Sequence, residues 1–258
     1  MKILVWNIKR CGSKSGSWEI INTHNPDVCL LQEVSSIPSF ISNQFQVIEE
    51  HPTTKNLEKQ KFKSVILIRN GVKYTTPNFT FSTKTSENIY QYFKGNLLGI
   101  TTETFTFINV YSPPWAISDS LFDWKDIYDL KLKSNSKLFI TEILYDLIRS
   151  TSFPNNLIFG GDFNSSIKFD FGRKNSGNQE IISRLHQLDY FDSLSEFNGG
   201  LVPTFQNPRG KEIIHQLDYL YIHKNQIENI QSCNLVNKRL IIGKKISDHL
   251  PILLEING

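Results

Sequence analysis

Leu157-Ile158-Phe159-Gly160-Gly161-Asp162-Phe163-Asn164 decides how the rest of the chain is read, because a short apolar run breaks into two glycines and then presents a carboxylate and an amide. The run has the length of a buried strand, and the glycines let the backbone leave the sheet in conformations that a side chain forbids. Asp162 and Asn164, two apart in an extended segment, share one face while Phe163 turns inward. The result is a polar pair on a rigid shelf. Taken alone, the octapeptide is equally an Asx-type turn closing a buried strand.

Other apolar runs meet polar residues in the same way. Residues 2–8 read as a first strand carrying Asn7 at its end, followed by the loop Lys9-Arg10-Cys11-Gly12-Ser13-Lys14. Residues 17–24 predict a short helix with Trp18, Ile20 and Ile21 inward, closed by Asn25-Pro26; a second buried strand over 27–31 then runs onto Gln32-Glu33. Residues 104–111 form another strand that ends on Tyr111 and meets Ser112-Pro113-Pro114. Later the order reverses. His215-Gln216-Leu217-Asp218 precedes Tyr219-Leu220-Tyr221-Ile222, and Ser247-Asp248-His249 precedes the apolar run 250–256. In antiparallel neighbours the start of one strand lies beside the end of the next, so all these clusters can share one edge. Each has a bland alternative: Asn7 a turn residue, Glu33 a solvated strand end, His215 a structural histidine bonded to a neighbouring strand.

Between 40 and 110 the signals predict an antiparallel meander, with strands over 45–48, 64–69, 79–82, 88–93 and 97–101 and with Asn70-Gly71 and Gly95-Asn96 as hairpin turns. Lys55, Lys59, Lys61 and Lys63 read as a solvated loop. Helices are expected near 133–149, where Phe139, Ile143 and Leu147 recur on one face, and near 179–188. Trp115, Phe122 and Trp124 read as packing, although exposed aromatics could stack on bases.

At 258 residues and 39% hydrophobic content the chain can bury a sizeable core, and with no composition break or repeat one domain over 1–258 is expected. Lys and Arg number 28 against 25 Asp and Glu, so a polyanion must be met by a local basic patch rather than by a global field. Cys11, Cys29 and Cys233 show no paired metal-ligand spacing and read as free thiols in a reducing compartment. The apolar run after Met1 is too short for a signal-peptide core and no segment reaches membrane-spanning length, so a soluble cytoplasmic monomer without membrane contact is expected.

In order along the chain, Trp6-Asn7, Leu31-Gln32-Glu33, Asn109-Val110-Tyr111-Ser112-Pro113, Gly160-Gly161-Asp162-Phe163-Asn164, Leu217-Asp218-Tyr219 and Ser247-Asp248-His249 resemble the endonuclease/exonuclease/phosphatase superfamily over nearly the whole chain. That superfamily includes abasic-site endonucleases, pancreatic-type deoxyribonucleases, retrotransposon endonucleases, inositol polyphosphate phosphatases and sphingomyelinases. Each motif is weak alone, and their shared order carries the likeness. The resemblance implies an α+β fold, a four-layer α/β/β/α sandwich of two mixed, mostly antiparallel sheets. His215 stands where abasic-site endonucleases carry a bulky aromatic, which argues against abasic-site specificity. Tyr111-Ser112-Pro113 leans away from the pancreatic type, and the absence of a signal peptide leans away from the secreted branches.

The resemblance also implies roles. A phosphodiester repels an anionic nucleophile, so hydrolysis calls for a hard cation on the phosphate oxygens and a base for the water. Glu33 is the expected metal ligand with Asn7 and Asp248 close by, and Mg2+ or Mn2+ suits such an oxygen site. His249 and Asp218 are expected to form a dyad; Asp162 orients or deprotonates the attacking water, the choice of base between it and His249 staying open, while Asn164 and Tyr111 donate to the phosphoryl oxygens. Lys9, Arg10, Lys14, Arg173, Lys174, Arg209 and Lys211 fall in loops at the expected active edge. Of these Arg10, Arg173 and Lys174, together with His215, are the expected substrate contacts. The expected activity is that of a metal-dependent phosphodiesterase, a DNA endonuclease. The alternatives are a soluble inositol- or lipid-phosphate phosphatase and a non-catalytic binding protein on the same fold.

Overall fold

The computed structural model describes residues 1–153, 156–172, 176–207, 210 and 212–257. In chain order the elements are β1 (Lys2–Cys11), α1 (Ser17–His24), β2 (Val28–Val34), α2 (Ser39–Ser42), β3 (Phe45–Glu50), β4 (Lys63–Arg69), α3 (Lys84–Tyr92), β5 (Leu97–Thr101), β6 (Phe105–Tyr111) and α4 (Ile140–Ser150). They continue with β7 (Asn156–Asp162), α5 (Asn178–Gln187), β8 (Tyr190–Asp192), α6 (Ser193–Asn198), β9 (Phe205–Gln206), β10 (Ile213–His215), β11 (Asp218–His223), β12 (Ile230–Leu235), α7 (Lys238–Ile241) and β13 (Ile252–Ile256). A six-stranded sheet runs β12-β13-β1-β2-β4-β3, a five-stranded sheet runs β5-β6-β7-β11-β8, and β9 and β10 form a short pair.

Alternation along the strands sorts apolar side chains into three clusters, and the clusters define four layers. Ile3 and Val5 of β1, Val28 and Leu30 of β2, Phe105 and Phe107 of β6, Ile158 of β7, and Leu220 and Ile222 of β11 meet between the two sheets. Leu4, Trp6, Cys29 and Leu31 point the other way, under Trp18 and Ile21 of α1 and Ile241 of α7. Ile108, Val110, Phe159, Tyr219 and Tyr221 point outward from the second sheet, beneath α3, α4 and α5. The expected α/β/β/α sandwich is what the chain forms. Among the described residues no helix is long and apolar enough to cross a membrane.

Pairing brings the polar strand ends together. β1 and β2 are parallel with Asn7 opposite Gln32, and β6 and β7 are parallel with Tyr111 opposite Asp162, so both pairs end at the same edge. β11 runs antiparallel to β7 and begins there, with Asp218 opposite Asp162; β13 runs antiparallel to β1, which carries Asp248 and His249 to the same edge.

The region 40–110 departs from the expected meander. Residues 84–92 are a helix rather than a strand over 88–93: Thr83 caps its N-terminus by accepting from the Ser86 N–H, and Ile89 and Phe93 lie buried one turn apart. The run of aromatic residues mimicked strand composition, but its buried pair follows the helical period. No strand forms over 79–82, where Phe79 and Phe81 pack as isolated rings against Tyr90. Asn70-Gly71 turns the chain without making a hairpin, because β4 and β5 belong to different sheets, and Gly95-Asn96 lies in a 3-10 turn. The helix expected from residue 133 begins only at Ile140, where the Glu142 carboxylate accepts the Phe139 N–H at 2.6 Å and so satisfies the first turn.

Candidate active site

At the shared edge the sheets present a buried, hydrogen-bonded polar cluster. His249 Nδ1 lies 3.0 and 2.9 Å from the two oxygens of Asp218, and Asp218 has no exposed surface. Thr204 fixes that carboxylate, donating from Oγ1 to Asp218 Oδ2 at 2.6 Å while its oxygen accepts the Leu217 and Asp218 N–H groups at 3.1 Å. The Trp6 indole N–H donates to the His249 carbonyl at 2.9 Å, and the Phe205 ring packs 4.8 Å from the imidazole. Asp162, equally buried, accepts from Asn7 Nδ2 at 2.9 Å, from Asn164 Nδ2 at 3.0 Å and from the Asn164 N–H at 2.9 Å. Donor atoms of Asp162, Asp218 and His249 lie within 4.8 Å of one another.

Burial and charge pull the protonation of this trio in opposite directions. Burial disfavours the imidazolium of His249, but the carboxylates of Asp218 and Asp162 outweigh it and raise its pKa to about 10. Burial raises Asp162, opposed by the His249 charge and by the bonds from Asn7 and Asn164 and reinforced by Asp218, and leaves it at about 7. Burial thus favours a neutral Asp162 while the neighbouring acids favour a charged His249, so the two groups compete for protons at this edge.

Glu33 stands beside this trio. Its backbone has φ +56°, and Asn164, Lys9 and Arg10 also carry positive φ, so the loops at this edge hold several residues in a conformation that side chains disfavour. Tyr111 donates from its hydroxyl to Glu33 Oε1 at 3.3 Å, and its ring is supported edge-on by Phe62. Burial, with Glu33 and Asp162 nearby, keeps that phenol protonated far above its ordinary range. Arg10 Nε is 3.6 Å from Glu33, and Lys9 Nζ is 3.1 Å from Asp248. The Glu33 and Asp248 side chains are only 18% and 19% exposed, whereas their cationic partners are 70% and 53% exposed. Half-buried carboxylates at Glu33 and Asp248, whose cationic partners are long and solvent-facing, and the Asn7 amide oxygen offer oxygen donors of the type a hard divalent cation takes.

The structure therefore brings together Asn7, Glu33, Tyr111, Asp162, Asn164, Asp218, Asp248 and His249, with Lys9 and Arg10 on the rim. His215 lies further along β10, its ring tilted against Phe169 with centroids 4.3 Å apart and Nδ1 3.4 Å from Ser166 Oγ, and burial together with Lys168 lowers its pKa. Lys14 is exposed in the loop after β1. Arg173, Lys174, Arg209 and Lys211 lie outside the described residues. Thr204 and Trp6 were not anticipated as positioning groups. Thr204 belongs to no apolar run and meets Asp218 only through the fold, whereas Trp6 next to Asn7 was the signal that could have been used.

The two-sheet sandwich is shared over the whole chain with solved structures of three other proteins. An AP endonuclease from Archaeoglobus fulgidus superposes with a TM-score of 0.71 at 17% identity, covering 100% of both chains. The 3′ phosphatase NExo from Neisseria, bound to a product DNA hairpin, gives 0.65 at 16% identity, again over 100% of both chains. The endonuclease domain of TRAS1, a telomere-specific non-LTR retrotransposon, gives 0.63 at 18% identity, covering 100% of this chain and 98% of that one. No protein-family model and no curated protein matches the chain.

Proposed function

We propose that the protein is a divalent-metal-dependent phosphodiester hydrolase that cuts nucleic acid, with DNA as substrate and an endonucleolytic mode. The observation that carries this reading is the buried His249–Asp218 pair directly beside Asp162 at an edge ringed by Asn7, Glu33, Tyr111 and Asn164. A structural ion pair needs neither a second buried carboxylate within 4.8 Å nor amides converging on it, and the folding cost of burying such groups is the kind met at sites of chemistry. Solved structures of the same fold include enzymes described as an AP endonuclease, a 3′ phosphatase with a DNA hairpin and a retrotransposon endonuclease, which supports a phosphate-ester substrate.

In this reading Glu33, with Asn7 and Asp248, holds magnesium or manganese, which when bound supplies positive charge to the phosphate oxygens. Asp218, held by Thr204, sets the tautomer and orientation of His249. Asp162, held by the two asparagines, orients the attacking water, and either it or His249 takes the proton. Tyr111 and Asn164 donate to the phosphoryl oxygens as charge grows there. Arg10, Arg173, Lys174 and His215 contact the substrate. The test is incubation of the pure protein with supercoiled plasmid, labelled RNA and inositol phosphates, each with magnesium or with chelator. Nicking of plasmid that chelator abolishes is the expected result, and phosphate release from inositol phosphates without nicking would replace the reading by the phosphatase alternative.

A further inference from the structure

A second basic surface adjoins the site. Residues 237–247, Asn-Lys-Arg-Leu-Ile-Ile-Gly-Lys-Lys-Ile-Ser, contain four cations and no acid, and Lys238, Arg239, Lys244 and Lys245 are all exposed. The lysines that the sequence marks elsewhere behave differently: Lys59 pairs with Glu50 and Lys63 with Glu49. Among the described residues none of the four cations on the later segment is in an ion pair; Glu212, with Lys238 and Arg239 in the lining of one hollow, is the nearby acid, and Asp248 is already taken by Lys9. Like charges this close repel within a Debye length of about 8 Å, a cost that a polyanion relieves.

The segment is also built rather than loose. Asn237 Oδ1 accepts the Arg239 N–H at 2.9 Å, Ile246 N–H donates to the Ile241 carbonyl at 2.9 Å, and Ile241 is buried under the sheet. A Cβ on Gly243 would lie 2.5 Å from the Arg239 carbonyl oxygen, so only glycine closes this turn. The turn is tied to the active edge by the Ser247 hydroxyl, which donates to the Asn7 carbonyl at 2.8 Å. Lys245 precedes His249 by four residues, a reach of at most about 14 Å, or roughly four base-pair steps.

We propose that the turn at residues 237–247 is a phosphate-backbone track: Lys238, Arg239, Lys244 and Lys245 grip a nucleic-acid duplex a few base pairs from the phosphodiester held at His249. This rests on the nucleic-acid reading above and adds a surface to it. A turn that carries four exposed cations and no acid, and that is bonded to the catalytic edge through Ser247, offers fixed positive charge to a polyanionic backbone beside the reacting phosphodiester.

The experiment measures duplex binding against salt in chelator, where the duplex stays intact, for the wild type, Lys244→Ala/Lys245→Ala, Lys238→Ala/Arg239→Ala and the control Lys59→Ala/Lys63→Ala. Each of the first two pairs should weaken binding and reduce the slope of log K against log salt by about 1.8, at about 0.9 per lost phosphate contact; the control should not. Hydrolysis of a small aryl phosphodiester with magnesium should be unchanged in all variants, and glutamine pairs repeat the test if an alanine pair loses thermal stability. Wild-type slopes in both pairs, from a protein that binds and cuts the duplex, overturn the track. Loss of binding to polyglutamate with the duplex slope unchanged assigns the turn to an acidic protein and also overturns it. A wild type that hydrolyses the small diester but binds no duplex overturns the substrate reading instead.

Discussion

Glu33 and His249 carry the sharpest consequences of single side chains. If Glu33 holds the metal as proposed, Glu33→Gln removes one unit of ligand charge and should weaken metal binding by at least about 10–100-fold and lower activity accordingly without unfolding the chain. Full activity of that variant in chelator would sink the metal mechanism. The dyad predicts a different pattern. His249→Ala and Asp218→Ala should each cost about 10³–10⁴-fold in turnover, and the double variant should be little worse than the worse single one, as for groups acting as a unit. Multiplicative losses would show that the two act independently, and a loss of melting temperature that accounts for the lost activity would mark a structural pair instead. Asn7, Glu33, Asp162, Asp218 and His249 were all legible before the fold was known because each flanks an apolar run, the first three at its end and the last two at its start. Thr204 was not, since a threonine next to a proline carries no periodic signal and its partner Asp218 lies fourteen positions away.

At the level of elements, β7 and α4 each hinge on one residue. Gly161 has φ +148°, and a Cβ there would stand 1.9 Å from the Val110 carbonyl oxygen on the parallel neighbour β6. Gly161→Ala should therefore cost on the order of 3 kcal/mol and displace Asp162, the next residue. Unchanged melting and unchanged turnover in that variant would refute the packing argument. In α4 burial outweighs the bonds from Phe139 and Thr141 and pushes the Glu142 carboxyl up to about 8. The unfolded chain loses that proton near pH 4.5, so the folded state holds it more tightly between the two values; stability is full below about 4.5 and falls as pH rises toward 8. Glu142→Gln should flatten this fall, so the melting temperatures of the two proteins should diverge by at least about 2–4 °C between pH 5 and pH 8. Parallel curves would show that Glu142 does not titrate in this range. Helix α3 shows where reading by element fails: aromatic and branched composition suggested a strand, and only the burial of Ile89 with Phe93 reveals the helical period.

Across the whole molecule, net charge is small and the distribution of cations decides what the surface can hold. If a polymer backbone crosses the loops with Lys9, Arg10, Arg173 and Lys174, then neutralising Arg173 and Lys174 together should lower the salt slope of DNA binding by about two and leave a short phosphodiester nearly untouched. Equal losses on both substrates would point to a small phosphate ester. Sequence by itself determined the strand ends that carry the polar motifs, because burial on both faces of a strand and glycine at a tight approach leave local marks in the residue pattern, and the resemblance carried by the order of those motifs implied the α+β sandwich. It did not determine the parallel pairing of β1 with β2 and of β6 with β7, the second row of cations at residues 237–247, or the bond from Thr204 to Asp218. Those depend on which distant segments lie side by side, and local pattern carries no record of that until both sheets have closed over their shared core.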